Sequence, residues 1–229
     1  MVIEEILPPV VVAEEAFVDP PDVALFPEEE AVVARAVAKR RNEFATARHC
    51  ARAALGRLGV PAAPILPGER GAPGWPAGIV GSMTHCAGYR AAAVARSVDV
   101  VSIGVDAEPH DVLPDRIIDA VAGAGELTML ERLAEAAPDV CWDRLLFSAK
   151  ESVYKAWYPL TGRWLDFKEA DVTIDPGSAA FTARLLVPGP VVAGRECREF
   201  AGRFLIRHGL AITAITIPTD RSSTVDGGA

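Results

Sequence analysis

The sequence predicts an α+β protein made of two similar halves, on three observations. Apolar stripes at helical spacing and short strand-like runs both occur, which excludes an all-α or an all-β chain. The elements follow one rough order twice: helix, loop and hairpin, then helix, strands and hairpin. THCAGYRAAAVA also echoes IRHGLAITAIT, with His85 and His208 each near a turn. The expected units are two pseudo-symmetric α/β halves, residues 1–104 and 105–218. A disordered tail is expected over 219–229.

Residues 1–28 carry acids and prolines and are expected to be irregular. Pro27 followed by three glutamates opens a helix, because acids favour its positive end. Val33, Val37, Phe44, Ala51, Leu55 and Leu58 then form an apolar stripe, so one helix is expected over 28–58, with a break near the basic cluster. Gly59 and Pro61 end it. Residues 59–78 form a long Pro/Gly loop, a length usually kept for function. Residues 79–95 are a hairpin about Ala87-Gly88, and VVSIGV (100–105) is a strand leading into Asp106. Residues 114–137 are helical with a glycine break. A second strong helix is expected over 140–157, terminated by Pro159 and Gly162. Strands follow at 170–175 and 180–187, and a hairpin over 199–217.

The composition is that of a soluble globular chain: of 229 residues, 50% are hydrophobic and 24% charged. No apolar run approaches a membrane span. Glu4 and Glu5 stand where a signal peptide would carry Lys or Arg, so a cytoplasmic location is expected. Cys50, Cys86, Cys141 and Cys197 are scattered without a CxxC pair, the pattern of reduced thiols rather than a zinc site. A net charge of −8 argues against nucleic-acid binding. The charge is uneven, however. Residues 1–30 hold nine acids and no base, whereas 31–58 hold Arg35, Lys39, Arg40, Arg41, Arg48, Arg52 and Arg57 against Glu43 alone. Two readings are open: a phosphate-rich ligand, or a helix balanced by the acidic segment before it.

Three constellations carry chemistry. In IGVDAEPH, Asp106 and Glu108 lie two apart at the end of an apolar strand and share a side, an oxygen site suited to Mg²⁺ beside substrate phosphates. Alone, the pair reads more simply as two surface acids. In FSAKESVYKAW, Glu151 points away from the apolar face, with Ser148 a turn back and Lys155 a turn on. Alone, this is a common Glu–Lys surface pair. In GERGAPGWP and GSMTHC, Arg70 and His85 are good phosphate partners. Alone, His85 reads as a structural histidine.

Taken in order, GERGAPGWP, GSMTHC, GVDAE and FSAKESVYKAW resemble the phosphopantetheinyl transferases, in particular the larger Sfp-type branch serving peptide, polyketide and siderophore synthases. RRNEFATARHCAR (40–52) resembles the enterobactin-synthase component D-like members of that branch, of actinobacterial type. The resemblance spans about residues 28–165. It implies the 4'-phosphopantetheinyl transferase fold, with the active site between the two halves. The implied reaction moves phosphopantetheine from coenzyme A to a serine of an apo acyl or peptidyl carrier protein and releases adenosine 3',5'-bisphosphate.

By resemblance, Asp106, Glu108 and Glu151 would hold Mg²⁺, with Mn²⁺ an alternative, and Glu151 would take the serine proton. Lys155 and Lys150 would face the phosphates. Arg40, Arg48 and His85 would bind the 3'-phosphate region, Arg70 the adenine or phosphate side, and Ser82, Met83 and Thr84 would line the pocket. Positions 40 and 48 lie about 80° apart on a regular helix, so both can approach one ligand. The segment from Leu113 to Leu133 is the expected carrier-docking surface. A monomer is expected, with no nucleic acid and no membrane as partner. Two other functions stay open: a degenerate binder of coenzyme A or carrier, and a Mg²⁺-dependent phosphohydrolase.

Overall fold

In the computed structural model, residues 1–114 and 116–219 are described, and among them lie ten strands, five α-helices and three short 3-10 helices. In chain order they are β1 (Val12–Ala16), α1 (Pro27–Val33), α2 (Ala38–Arg57), β2 (Ile79–Cys86), β3 (Tyr89–Arg96) and β4 (Val100–Pro109). Then follow α3 (Ile117–Val121), α4 (Ala124–Ala136), α5 (Trp142–Thr161), β5 (Ala170–Asp175) and β6 (Ala180–Leu185). The short pair β7 (Val191–Val192) and β8 (Arg195–Glu196) precedes β9 (Glu199–Arg207) and β10 (Leu210–Pro218). Apart from Thr219, the expected tail lies outside the described residues.

Two antiparallel sheets carry the fold, one in the order β1-β3-β2 and one in the order β4-β10-β9-β6-β5. β4 runs unbroken through positions 104 and 105 and pairs along its length with β10. The alanine run of β3 follows from burial on both faces. Ala92 and Val94 pack under α2 with Ala51 and Leu55. The alternate residues Ala91, Ala93 and Ala95 pack against Ile103, Val105 and Ile212 of the larger sheet. On that sheet's other side, Leu145, Leu146, Ala149, Val153 and Trp157 of α5 join the main core.

The sheets meet at the edges of β2 and β4 without a backbone ladder. Instead, Ser82 Oγ accepts from Val105 N at 3.1 Å and Thr84 Oγ1 from Ala107 N at 3.0 Å. Two hydroxyls thus satisfy edge amides that would otherwise be buried without partners.

Three local expectations are corrected, and one is located. The first 28 residues are not wholly irregular, because β1 supplies the edge partner of β3. Its Glu15 accepts hydrogen bonds from Val2 N, Ile3 N and the Tyr89 hydroxyl. The break expected near the basic cluster falls at Val37, whose extended conformation (ψ 154°) divides 28–58 into α1 and α2. Pro159 lies inside α5, which ends at Gly162, where φ is 64°. Ser148, expected on the polar face with Glu151, is buried against Thr213 at 2.9 Å.

Candidate active site

The site begins with a glycine. A Cβ at Gly104 would lie 2.0 Å from the Ser152 carbonyl oxygen and 2.7 Å from Ala156 N, so α5 rests directly on the backbone of β4. Ser152 Oγ meets Thr213 Oγ1 at 2.7 Å, and Ser102 Oγ donates to Ala156 O at 2.7 Å. These bonds set the register of helix on strand. In that register Lys155 Nζ reaches Asp106 Oδ1 at 2.7 Å and Val105 O at 3.1 Å.

Asp106 is 4% exposed. Its Oδ1 also accepts from Thr84 Oγ1 at 3.2 Å, whereas Oδ2 is buried with no partner. Glu151 stands half-buried on the cavity wall. Burial pushes its carboxyl above the ordinary range, Lys155 opposes the rise, and Asp106 adds to it. Glu108 is raised likewise by burial and by Asp106, against the pull of Arg144, whose Nη1 donates to Glu108 Oε2 at 3.1 Å. Among the described residues, no three His, Cys, Asp or Glu side chains form a ready metal cage. The donor chemistry nevertheless fits a hard cation: Asp106 Oδ2 is a buried carboxylate oxygen lacking a donor, and Glu151 is an oxygen ligand nearby.

A cavity of about 780 Å³ opens beside these groups. Of the expected site residues, Arg40, Arg48, Arg70, Ser82, Met83, His85, Glu151 and Lys155 line it. Arg40 Nη1 lies 2.6 Å from His85 Nε2. An arginine can only donate, so Nε2 accepts and the ring proton sits on Nδ1. Burial and the Arg40 charge hold the His85 pKa below its usual value. Arg48 lies over the Phe44 ring at 3.5 Å and donates to Ile65 O at 3.3 Å, and burial lowers its pKa to about 10. Arg70 takes a left-handed φ of 53° and sits 5.3 Å from the Trp164 ring. The other α2 arginines are paired off: Arg41 with Glu30, Arg52 with Glu29, and Arg57 with Glu4 and Glu14.

Two expected pocket residues lie elsewhere. The Lys150 ammonium is bound by Glu126 Oε2 and by the carbonyls of Val121, Phe167 and Ala170, at 2.7 to 3.0 Å. An ammonium has three donors, so none remains for a phosphate. Thr84 alternates away from Met83 and His85 along β2, and its hydroxyl serves Asp106 and β4 instead. Within the segment expected to dock the carrier, Leu113 and Leu130 are core residues, whereas Ile117 and Leu127 are exposed, as is Val112 just before it.

The sequence reading missed Tyr154 and Arg144. Tyr154 lies within 5.0 Å of Trp164, ring to ring, and its hydroxyl is buried without a partner. Together with Glu151 it borders the main cavity and a second one of about 250 Å³. Its signal was its place three residues after Glu151, on the same helix face. Arg144 offered none, because its partners Glu108, Asp111 O and Val112 O are distant in sequence.

Comparison with known proteins gives a consistent answer. Residues 28–95 match the family model of the 4'-phosphopantetheinyl transferase N-terminal domain, and residues 102–194 that of the 4'-phosphopantetheinyl transferase superfamily. The chain is 60% identical over 218 residues to 4'-phosphopantetheinyl transferase Svp of Streptomyces mobaraensis, covering 94% of this chain and 89% of that protein. It is 50% identical over 207 residues to 4'-phosphopantetheinyl transferase PptT of Mycobacterium tuberculosis, covering 89% and 90%. Npt of Nocardia iowensis, also a 4'-phosphopantetheinyl transferase, is 49% identical over 221 residues, covering 93% and 98%.

Proposed function

Since the chain belongs to the 4'-phosphopantetheinyl transferase superfamily, we propose that its cavity binds coenzyme A and that Glu151 and Lys155 carry the transfer to a carrier-protein serine. One observation carries this reading. A half-buried carboxylate with a raised pKa, a lysine and an unpartnered Asp106 oxygen meet beside a cavity lined by Arg40, Arg48 and His85.

Arg40, Arg48 and His85 bind the 3'-phosphate end. Arg70, in its Gly/Pro loop, holds the nucleotide or phosphate side. The second cavity, across Glu151 and Tyr154, suits the arm beyond the pyrophosphate, with the Tyr154 hydroxyl available to one of its polar atoms. Asp106 and Glu151 would hold Mg²⁺, or Mn²⁺, which takes the same oxygen donors. When bound, the ion polarises the reacting phosphoryl group and offsets its charge. Glu108, whose Oε2 accepts from Arg144, would join this pair as the third carboxylate.

Glu151 takes the proton from the carrier serine, and burial, which raises its pKa, makes it the stronger base. The serine oxygen bonds to the β-phosphorus, and the bond from that phosphorus to the bridging oxygen breaks. Lys155 stabilises the charge left on adenosine 3',5'-bisphosphate. Val112, Ile117 and Leu127, exposed after β4, form the apolar surface offered to the carrier.

The test is to incubate the protein with coenzyme A, Mg²⁺ and a panel of apo carriers and to read intact carrier mass, with Glu151→Gln alongside. A gain of one phosphopantetheine, lost in the variant and in chelator, is expected. Coenzyme A binding without any gain, across the whole panel, overturns the assignment of transfer to this site.

A further inference from the structure

The three cations that α5 carries, Arg144, Lys150 and Lys155, differ in freedom. Lys150 has four acceptors around its ammonium. Arg144 is pinned by Glu108, Asp111 O and Val112 O together. Lys155 has only Asp106 Oδ1 and Val105 O, its side chain is 26% exposed, and it lines the cavity. With two acceptors for three donors, it keeps one N–H for a further anion. Lys155 is thus the mobile cation of the site, and it sits on the carboxylate that a metal would use.

We propose that Lys155 competes with the divalent cation for Asp106 and thereby ties metal binding to the arrival of the coenzyme A phosphates. The proposal rests on the metal and coenzyme A reading above. Asp106 is 96% buried by difference from its 4% exposure, so water does little to screen an ammonium and a dication at the same carboxylate. An ion at Oδ2 repels the ammonium at Oδ1 across one buried carboxylate, which favours its release. Its other partner, Val105 O, is a neutral carbonyl and a poor replacement for the lost charge. A phosphate in the cavity supplies a full anion for the released ammonium. Metal without nucleotide then binds weakly, nucleotide strengthens it, and by linkage the metal strengthens nucleotide binding by the same factor. Thr84, which donates to the same Oδ1, keeps the carboxylate oriented while the lysine moves.

The experiment measures Mn²⁺ affinity by electron paramagnetic resonance, with and without coenzyme A and with no carrier, so that no turnover occurs. Wild type is expected to bind Mn²⁺ about tenfold or more tighter with coenzyme A. Lys155→Met is expected to bind Mn²⁺ tighter than wild type in the absence of coenzyme A and to lose most of the enhancement. Lys155→Arg keeps the charge and is expected to keep the weak binding, and a normal melting curve for it covers misfolding of the Met variant. Asp106→Asn is expected to lose Mn²⁺ under both conditions. If Lys155→Met binds Mn²⁺ no tighter than wild type while Asp106→Asn still abolishes binding, the competition is refuted and the site reading stands. If Asp106→Asn binds Mn²⁺ as wild type does, the site reading fails, and the proposal with it.

Discussion

Gly104→Ala is the sharpest test of how the site is held. In an ordinary strand, adding a methyl to glycine helps by roughly 0.5–1 kcal/mol, because the unfolded chain loses freedom. Here the new Cβ would lie 2.0 Å from the Ser152 carbonyl and 2.7 Å from Ala156 N. Neither is the end of a flexible side chain. Both belong to the backbone of α5, so the helix must retreat by roughly 1.5 Å to restore ordinary contact. Overpacking of this kind costs about 1–3 kcal/mol, which outweighs the entropic gain. For a chain of this size each kcal/mol lowers Tm by about 2–4 °C. The same retreat moves Glu151 and Lys155 away from Asp106, and a displacement of about 1 Å can cost ~100-fold in rate. Thermal melts followed by circular dichroism and kcat/KM on an apo carrier read both effects. A variant that melts within about 1 °C of wild type and transfers at an undiminished rate would refute the claim that helix-on-strand contact sets the site.

Glu151→Gln should lower the transfer rate by about 10²–10⁴ and yet melt higher than wild type at pH 7. Burial holds the folded pKa of Glu151 above that of an exposed glutamate, so the fold pays for ionising it above the folded pKa and not below the unfolded one. The gap in Tm should close as the pH falls toward that lower value, which melts across a pH series would detect. Lys150→Met, which leaves the buried Glu126 unpaired, should cost about 3–5 kcal/mol in denaturant melts, with coenzyme A affinity changed less than about threefold. The apolar pair Lys150→Met/Glu126→Leu should recover part of that loss. His85 has a lowered pKa beside Arg40, and an arriving phosphate raises it again, so coenzyme A binding should take up a proton and weaken as pH rises. Calorimetry in two buffers measures the uptake, and His85→Gln should remove this part of it.

Much of the fold was legible because burial follows local pattern. The hairpin about Ala87-Gly88, the glycine break before α4 and the strand into Asp106 all declared themselves through period and turn residues. β1 did not, because Glu14 and Glu15 mask a strand whose partner, β3, lies far along the chain. Pro159 misled for a different reason: α5 is held by its packing on β4 and β10, which outweighs one missing hydrogen bond. The basic cluster divided along the open alternatives. Arg41, Arg52 and Arg57 balance acids, whereas Arg40 and Arg48 face the cavity. Lys150 and Lys155 look alike as letters, and helical phase decides between them. Five residues apart, they point to different sides of α5, one into a cage of carbonyls and one to Asp106.

The hydroxyl contacts along the edge of β4 also bear on the order in which the chain assembles. During synthesis from the N-terminus, Asp106 emerges long before Thr213, its neighbour on β10. For that interval β4 is an apolar strand with two open edges, the kind of segment on which nascent chains aggregate. β2 has already been made, and Ser82 and Thr84 can engage Val105 N and Ala107 N at once. They shield one edge with side chains rather than with a ladder that would have to be remade later. The N-terminal sheet can thus act as an intramolecular chaperone for the strand that carries Asp106, leaving the other edge for the last strand to close.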